Sequence, residues 1–398
     1  MSDAKNTVID AIIATIDIPD DSYERAIGRA RDLESWVKDS AESKDFDPEI
    51  SAQGSFRLGT VIRPLKDDDE YDLDLSWVLR RGYGKDRHSQ SELKALVGRD
   101  IEAYRKARRI ETAREEKNRC WRLNYLDKLK FHLDGVPCLP ESTEAKQALR
   151  GAMARSGLAE PLAQSLAELS LCITDRTRPD YRVVSPTWLI SNPEGYARWF
   201  ESRMRLATTV LESRARDARV ASIADLPTFR WKTPLQRSVQ LLKRHRDVMF
   251  ESHFDARPIS IIITTLAARA YRGEAGIASA MERILADMES LVNSGRPRVP
   301  NPVNPAEDFA EKWDTAEGRQ LQMEENFRRW VAQARADFNK LVVSSDAGFI
   351  AQQARARFRA PVDADRLRNL VGIGFPHIAA TPKSVEIREP ARPWSRRA

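Results

Sequence analysis

The nine residues Asp67–Leu75, DDDEYDLDL, carry six acidic side chains yet end in the alternation of a strand bound for a sheet. Successive side chains of a strand point to opposite faces, so Asp72 and Asp74 share one side while Leu73 and Leu75 take the other. Two carboxylates held that close repel each other unless a cation lies between them. Mg²⁺ is the natural one, because that hard ion takes one or two carboxylates plus substrate phosphates in preference to a full protein cage.

A second alternating segment, LKFHLDGVPC at 129–138, puts Leu129, Phe131 and Leu133 on one face and His132 and Asp134 on the other. If the two strands are neighbours, Asp134 becomes a third acid, and such a trio can hold two metals about 3.5–4 Å apart for in-line phosphoryl transfer. Upstream, Gly54 lets backbone approach a phosphate, and Ser55 offers an N–H and a hydroxyl, above all where a helix begins. Gly-Ser alone is weak; followed by Asp-x-Asp and a distant Asp on a second strand, it is strong. A solvated acidic edge strand is the competing reading for Asp72 and Asp74. Asp134 has a turn cap as its alternative, and Asp67–Glu70 reads as a polar loop. His132 reads as structural, since no other His or Cys lies at ligand spacing.

The rest of the chain divides into a mixed α/β half and a helical half, an α+β class. Residues 22–38 read as a helix capped through Asp21 and Glu24, 91–116 as a solvated outer helix, and 143–156 as a helix. Pro137 and Pro140 are expected to end the second strand, with a short strand at Tyr181–Val184. Helical patterns run over 193–218, 233–250, 258–272, 275–293 and 317–343, while 295–309 is too Pro-rich for regular structure. Domains are drawn at 1–190, 191–345 and 346–398, mobile after about 381, with a cleft between the first two as the site.

At 398 residues with 41% apolar side chains the chain can bury two cores. A net charge of +6, from 65 basic and 59 acidic residues, tilts it toward anionic partners. Cys120, Cys138 and Cys172 lack metal or redox spacing and read as inert reduced thiols. With no apolar span or secretory leader, a soluble cytoplasmic protein, off the membrane and monomeric, is expected. Arg80, Arg81, Lys85, Arg87, Lys106, Arg108 and Arg109 form either a nucleic-acid patch or, with Asp86, Glu102 and Glu111 among them, an ordinary mixed surface. His245 reads as lying on a solvated helix face. Asn192 is open to base recognition, although turn formation by Asn-Pro explains it better. Trp188, Trp199, Phe200 and Trp231 read as core aromatics.

Gly54-Ser55, Asp72-Leu73-Asp74 and Asp134 resemble the signature of polymerase-β-type nucleotidyltransferases. Sixteen residues separate Ser55 from Asp72. That gap, QGSFRLGTVIRPL before the acids, and the later SNPEGYARWF and LQRSVQLLKRHRD resemble the cGAS- and DncV-like nucleotidyltransferases, the CD-NTases of bacterial antiphage CBASS systems, over residues 20–345. The resemblance implies a two-lobed fold: a mixed-sheet core with an N-terminal helix, and a C-terminal helical domain. It also implies synthesis of a cyclic di- or trinucleotide from nucleoside triphosphates, ATP among them. Asp72 and Asp74 would bridge two Mg²⁺ ions, for which Mn²⁺ can substitute, with Asp134 holding the ion that activates the attacking hydroxyl. Ser55 would bind the β- and γ-phosphates, and Lys243 would reach the triphosphate from its helix. Accessory proteins acting on the tail at Trp394–Ala398, and a nucleic-acid or phage-derived activator, are further implied partners. The alternatives are a template-independent RNA-tailing enzyme and a nucleic-acid-binding protein without turnover.

Overall fold

The computed structural model describes residues 2–66, 70–125, 131–207, 212 and 232–371. Its centre is β2 (Tyr71–Leu79) lying parallel to β5 (Phe131–Pro140), with Leu73 opposite Leu133 and Asp74 opposite Asp134. β1 (Pro48–Ala52) flanks β2 antiparallel. On the other side of β5 lie β4 (Trp121–Tyr125) and then the two-residue β3 (Glu115–Glu116). The upper end of β5 pairs instead with β6 (Leu171–Ile173), which pairs with β7 (Leu189–Ser191). This seven-stranded sheet is mixed, as expected.

Pro137 does not end its strand. β4 pairs with β5 only as far as Gly135 and β6 begins at Cys138, so Pro137 falls in the gap between those two partners while staying in register with Trp77 of β2. Leu73, Leu123 and Leu133, all buried, form one row across three strands. They pack with α2 (Asp20–Lys38) and α4 (Gln90–Ala107) into the core beneath the sheet.

Several local expectations need correction. α2 begins after Pro19 with no side-chain cap, because Asp21 spends its carboxylate on the N–H of Ser22. α4 is not a solvated helix: Leu93, Leu96, Val97, Ile101 and Tyr104 form a buried stripe. Two charges go under with it, Lys94 donating to the Asn118 carbonyl at 2.7 Å and Asp100 accepting from Ser40 at 2.7 Å. Residues 181–184 hold turn and bend and no strand, and the Pro-rich 295–309 stretch contains a hairpin, β8 (Pro300–Asn301) with β9 (Asn304–Asp308). Asp67–Asp69, Trp231 and the tail beyond residue 371 lie outside the described residues.

The helical lobe draws on more of the chain than residues 191–345. α1 (Ser2–Ile16) buries Val8, Ile9, Ile12, Ile13 and Ile16 in the helical core. α5 (Thr143–Arg155) and α6 (Glu160–Ala167) add Leu149, Met153 and Leu166 to the same core. Around them stand α7 (Pro193–Met204), α8 (Pro234–Met249), α9 (Ser260–Ala270), α10 (Ile277–Asp287), the short α11 (Ala316–Gln320), α12 (Met323–Val343), α13 (Ala347–Phe358) and α14 (Ala364–Val371). Trp188, Trp199 and Phe200 are core aromatics as read. No described helix is long and apolar enough to cross a membrane.

α8 joins the lobes. Gln236 donates to the Leu58 carbonyl, Gln240 to Val61, Lys243 to Thr60 and Arg244 to Arg63, at 3.0, 2.7, 2.9 and 2.5 Å. One polar helix face thus satisfies main-chain acceptors along residues 58–63, a segment outside the named strands that has a single bridge, from Ile62 to Asp17. His245 turns the other way. It is buried against Asp337 of α12 and the Phe358 ring of α13, so it is no solvated residue.

Candidate active site

Where the lobes meet, a cavity of about 880 Å³ is lined on one side by Gly54, Ser55, Asp72 and Asp74 and on the other by Lys243, Arg246 and Arg257. The acidic wall follows from the strand ladder. β1 ends with the N–H of Gln53 donating to the Asp74 carbonyl at 2.9 Å, and the chain then turns at Gly54 with φ +60° into the one-turn α3 (Gly54–Leu58). A Cβ on Gly54 would stand 2.5 Å from Asp74 Oδ2. Glycine is therefore required twice here, for its backbone angle and for the room it leaves. Gly54→Ala should cost on the order of 1–3 kcal/mol, read as a Tm several degrees lower, and any product formation should fall with it because Asp74 must move.

α3 is pinned to the helical lobe. Arg57 donates through Nε and Nη2 to both oxygens of Glu194, at 2.9 and 3.0 Å, and through Nη1 to Glu201 at 2.6 Å, both on α7. These half-buried ion pairs hold the Arg57 charge firmly, above its ordinary range despite burial. The helical turn carrying Ser55 is thereby fixed to both lobes.

The two cavity aspartates differ. Asp72 is exposed, whereas Asp74 is set deeper, and burial with the charges of Asp72 and Asp134 pushes its carboxyl up to about 7. Lys243 faces it, its ammonium pushed down to about 8 by burial and by the neighbouring Arg246. Asp247 sits between Arg246 and Arg257 at 2.7 and 2.9 Å.

Asp134 is adjacent to Asp74 across the parallel ladder, where strands lie about 4.8 Å apart. It is buried and does not line the cavity, because Arg122 of β4 holds it through two bonds, Nε to Oδ1 at 2.8 Å and Nη2 to Oδ2 at 2.7 Å. Among the described residues no three carboxylate, imidazole or thiolate groups are already gathered as a metal cluster. Asp72 and Asp74 still fit a divalent ion. They are hard oxygen donors on one face of a cavity, from neighbouring alternate positions of one strand. Asp134 thus lies beside Asp74 on the sheet but is paired with Arg122, and of the three acids only Asp72 and Asp74 line the cavity.

Asn192, for which the Asn-Pro turn was the better explanation, caps α7, accepting from the Gly195 N–H and donating to the Leu166 carbonyl, and it does not line the cavity. His132 does line the cavity, held by Glu70 and by Asn124 at 2.6 Å. Arg122, Arg246 and Arg257 escaped the sequence reading. The alternation of Trp121-Arg-Leu-Asn-Tyr would have pointed to a strand with Arg122 and Asn124 on one face, as the burial pattern shows. The basic residues proposed as a nucleic-acid patch are mostly paired with acids: Arg80 with Glu49, Lys85 with Glu141, Lys106 with Glu102 and Arg108 with Asp32. All three cysteines are free, and burial pushes the Cys120 and Cys172 thiols up to about 12.

Residues 48–138 match the family model described as cyclic GMP-AMP synthase DncV-like, nucleotidyltransferase domain. Over 290 residues the chain is 32% identical to a c-di-GMP synthase of Roseivirga ehrenbergii, an alignment spanning 71% of this chain and 65% of that protein. Among solved structures, the Bradyrhizobium diazoefficiens CD-NTase CdnG in complex with GTP superposes with a TM-score of 0.62 at 17% identity, covering 92% of this chain and 98% of that one. The Vibrio cholerae DncV cyclic AMP-GMP synthase in complex with a linear intermediate gives 0.54 at 14%, covering 92% and 97%. The E. coli CdnC:HORMA complex gives 0.57 at 12%, covering 90% and 97%. At such identities these structures speak for the fold. The chain thus carries a DncV-like nucleotidyltransferase domain match at residues 48–138 and a fold like that of the CD-NTases, and it spans 65% of the length of the curated relative it matches.

Proposed function

We propose that this protein is a metal-dependent nucleotidyltransferase that joins nucleoside triphosphates through phosphodiester bonds and closes the product into a cyclic di- or trinucleotide, serving antiphage defence. The observation that carries this reading is the polarised cavity: Asp72 and Asp74 on one wall, Lys243 with two arginines on the other, and Ser55 at the edge of the acidic side. Phosphoryl transfer asks for little beyond positioning and charge stabilisation, which is what such a cavity supplies. The synthase name of the relative supports the same reading, as do the GTP and linear dinucleotide bound in the structural neighbours.

Asp72 and Asp74 would hold the divalent ions. Those ions, when bound, neutralise charge on the triphosphate and favour ionisation of the attacking ribose hydroxyl. Ser55 and Lys243 would orient the β- and γ-phosphates, and the Arg57 clamp keeps Ser55 aligned with the opposite wall. The hydroxyl oxygen bonds to the α-phosphorus as the bond to the bridging oxygen breaks and pyrophosphate leaves. A second such transfer, within the linear product, closes a ring.

Incubation with labelled triphosphates and Mg²⁺ or Mn²⁺, followed by phosphatase, should leave a resistant labelled species. A primer-dependent ladder would instead indicate RNA tailing. Complete release of label under every condition tried, activating ligands included, would count against both enzymatic readings.

A further inference from the structure

We propose that Arg122 is a built-in counter-cation that withholds Asp134 from the metal site and is displaced when a divalent ion takes that carboxylate. The inference rests on the metal-dependent reading above and adds a competitor to it. β4 runs antiparallel to β5 with Arg122 opposite Asp134, and β2 runs parallel to β5 with Asp74 opposite Asp134. Arg122, Asp134 and Asp74 therefore occupy one row across three strands, on the face away from the Leu123, Leu133 and Leu73 row. Arg122 binds both oxygens of Asp134, and its Nη2 also lies 3.7 Å from Asp72 Oδ1.

The guanidinium thus sits among the carboxylates that the sequence pattern suggests for divalent ions. Exposure follows the same order: 62% for the Asp72 side chain, 24% for Arg122 and 13% for Asp134. Arg122 lines the cavity and Asp134 does not, so an ion entering from the cavity meets the guanidinium before the third acid. A two-toothed, half-buried arginine–carboxylate pair is among the stronger ion pairs a protein makes. An ion that takes Asp134 as a ligand must break it. Glu115 of β3, the register partner of Arg122 on the other side, already accepts from Lys117 and Asn124 at 2.7 and 2.8 Å, so a displaced guanidinium must share that carboxylate or turn to solvent. Arg122 is thus a positioning residue, setting when the third carboxylate becomes available.

The test is Mn²⁺ binding to the nucleotide-free protein at pH 8, followed by loss of the free-ion electron paramagnetic resonance signal. Arg122→Gln should bind Mn²⁺ at least about tenfold more tightly than wild type, the lost pair no longer opposing the ion. Arg122→Gln combined with Asp134→Asn should lose that gain, since the gain comes from the freed carboxylate. Arg122→Lys, which keeps the charge but cannot grip both oxygens, should fall between, and it decides the matter if the glutamine variant does not fold. Equal or weaker Mn²⁺ binding by folded Arg122 variants, with wild-type binding abolished by Asp72→Asn and Asp74→Asn, overturns the Arg122 role alone. Absence of Mn²⁺ binding by wild type and every variant overturns the metal-dependent reading as well.

Discussion

Asp72→Ala combined with Asp74→Ala should lower cyclic product formation by at least about 10³-fold while leaving the fold intact. The two side chains project from β2 into the cavity, and the core beneath the sheet is made by Leu73 and Leu75 on the opposite face, so their loss removes charge rather than packing. Far-ultraviolet circular dichroism and melting checked beside the turnover assay separate loss of chemistry from loss of structure. A protein that merely holds nucleic acid on its basic excess would keep its binding in the double variant, and that binding would weaken steeply with salt.

The second large effect concerns Asp74 alone, and its sign follows from its surroundings. Its carboxyl is pushed up to about 7 from an ordinary value of 3.8, chiefly by burial and then by the Asp72 and Asp134 charges. Between those values the folded chain keeps a proton that the unfolded chain gives up. Stability from this group is therefore full below about pH 4 and is lost as pH rises through 7. A shift of this size corresponds to at most about 4 kcal/mol, or on the order of 1–3 kcal/mol once the partial exposure of Asp74 to the cavity is discounted.

Asp74→Asn removes the ionisation. Without divalent ions it should melt several degrees above wild type at pH 8, with the gap closing toward pH 4. Adding Mn²⁺ at pH 8 should raise the wild-type Tm by linkage and leave the variant unmoved. The same carboxyl makes ion binding pH-dependent, tightening as Asp74 deprotonates across pH 6–8, about one unit either side of its value. A variant melting below wild type at pH 8 would mean that Asp74 does not carry the strain assigned to it.

Much of this site was legible in the sequence because its logic is local. Strand alternation placed Asp72 with Asp74 and His132 with Asp134, and a glycine before serine marked the turn that Asp74 closely faces. Arg122 was not legible in that way: its partner depends on which strand lies beside β5, a choice made by the whole sheet and not by any window of residues. His245 and Asp337 show the same limit. A histidine between two arginines looks solvated until Asp337 of α12, 92 positions along the chain, and Phe358 of α13 close over it.

Lys94 and Asp100 made α4 look like a surface helix, because composition does not reveal that a buried charge has found its carbonyl or hydroxyl partners. Asn192 illustrates the opposite case. Its local chemistry, an asparagine before proline at a helix start, was sufficient to explain it, and base recognition was not needed. α1 carries its apolar side chains at helical spacing, but its place among the C-terminal helices and not against the sheet rests on contacts to residues hundreds of positions later.

The most direct measurement is anomalous diffraction from crystals grown with Mn²⁺ and a non-hydrolysable nucleoside triphosphate. Manganese peaks ligated by Asp72 and Asp74, with the triphosphate between them and Lys243, are the expected result. Well-ordered nucleotide in the cavity with no manganese at either carboxylate would contradict the metal-dependent reading.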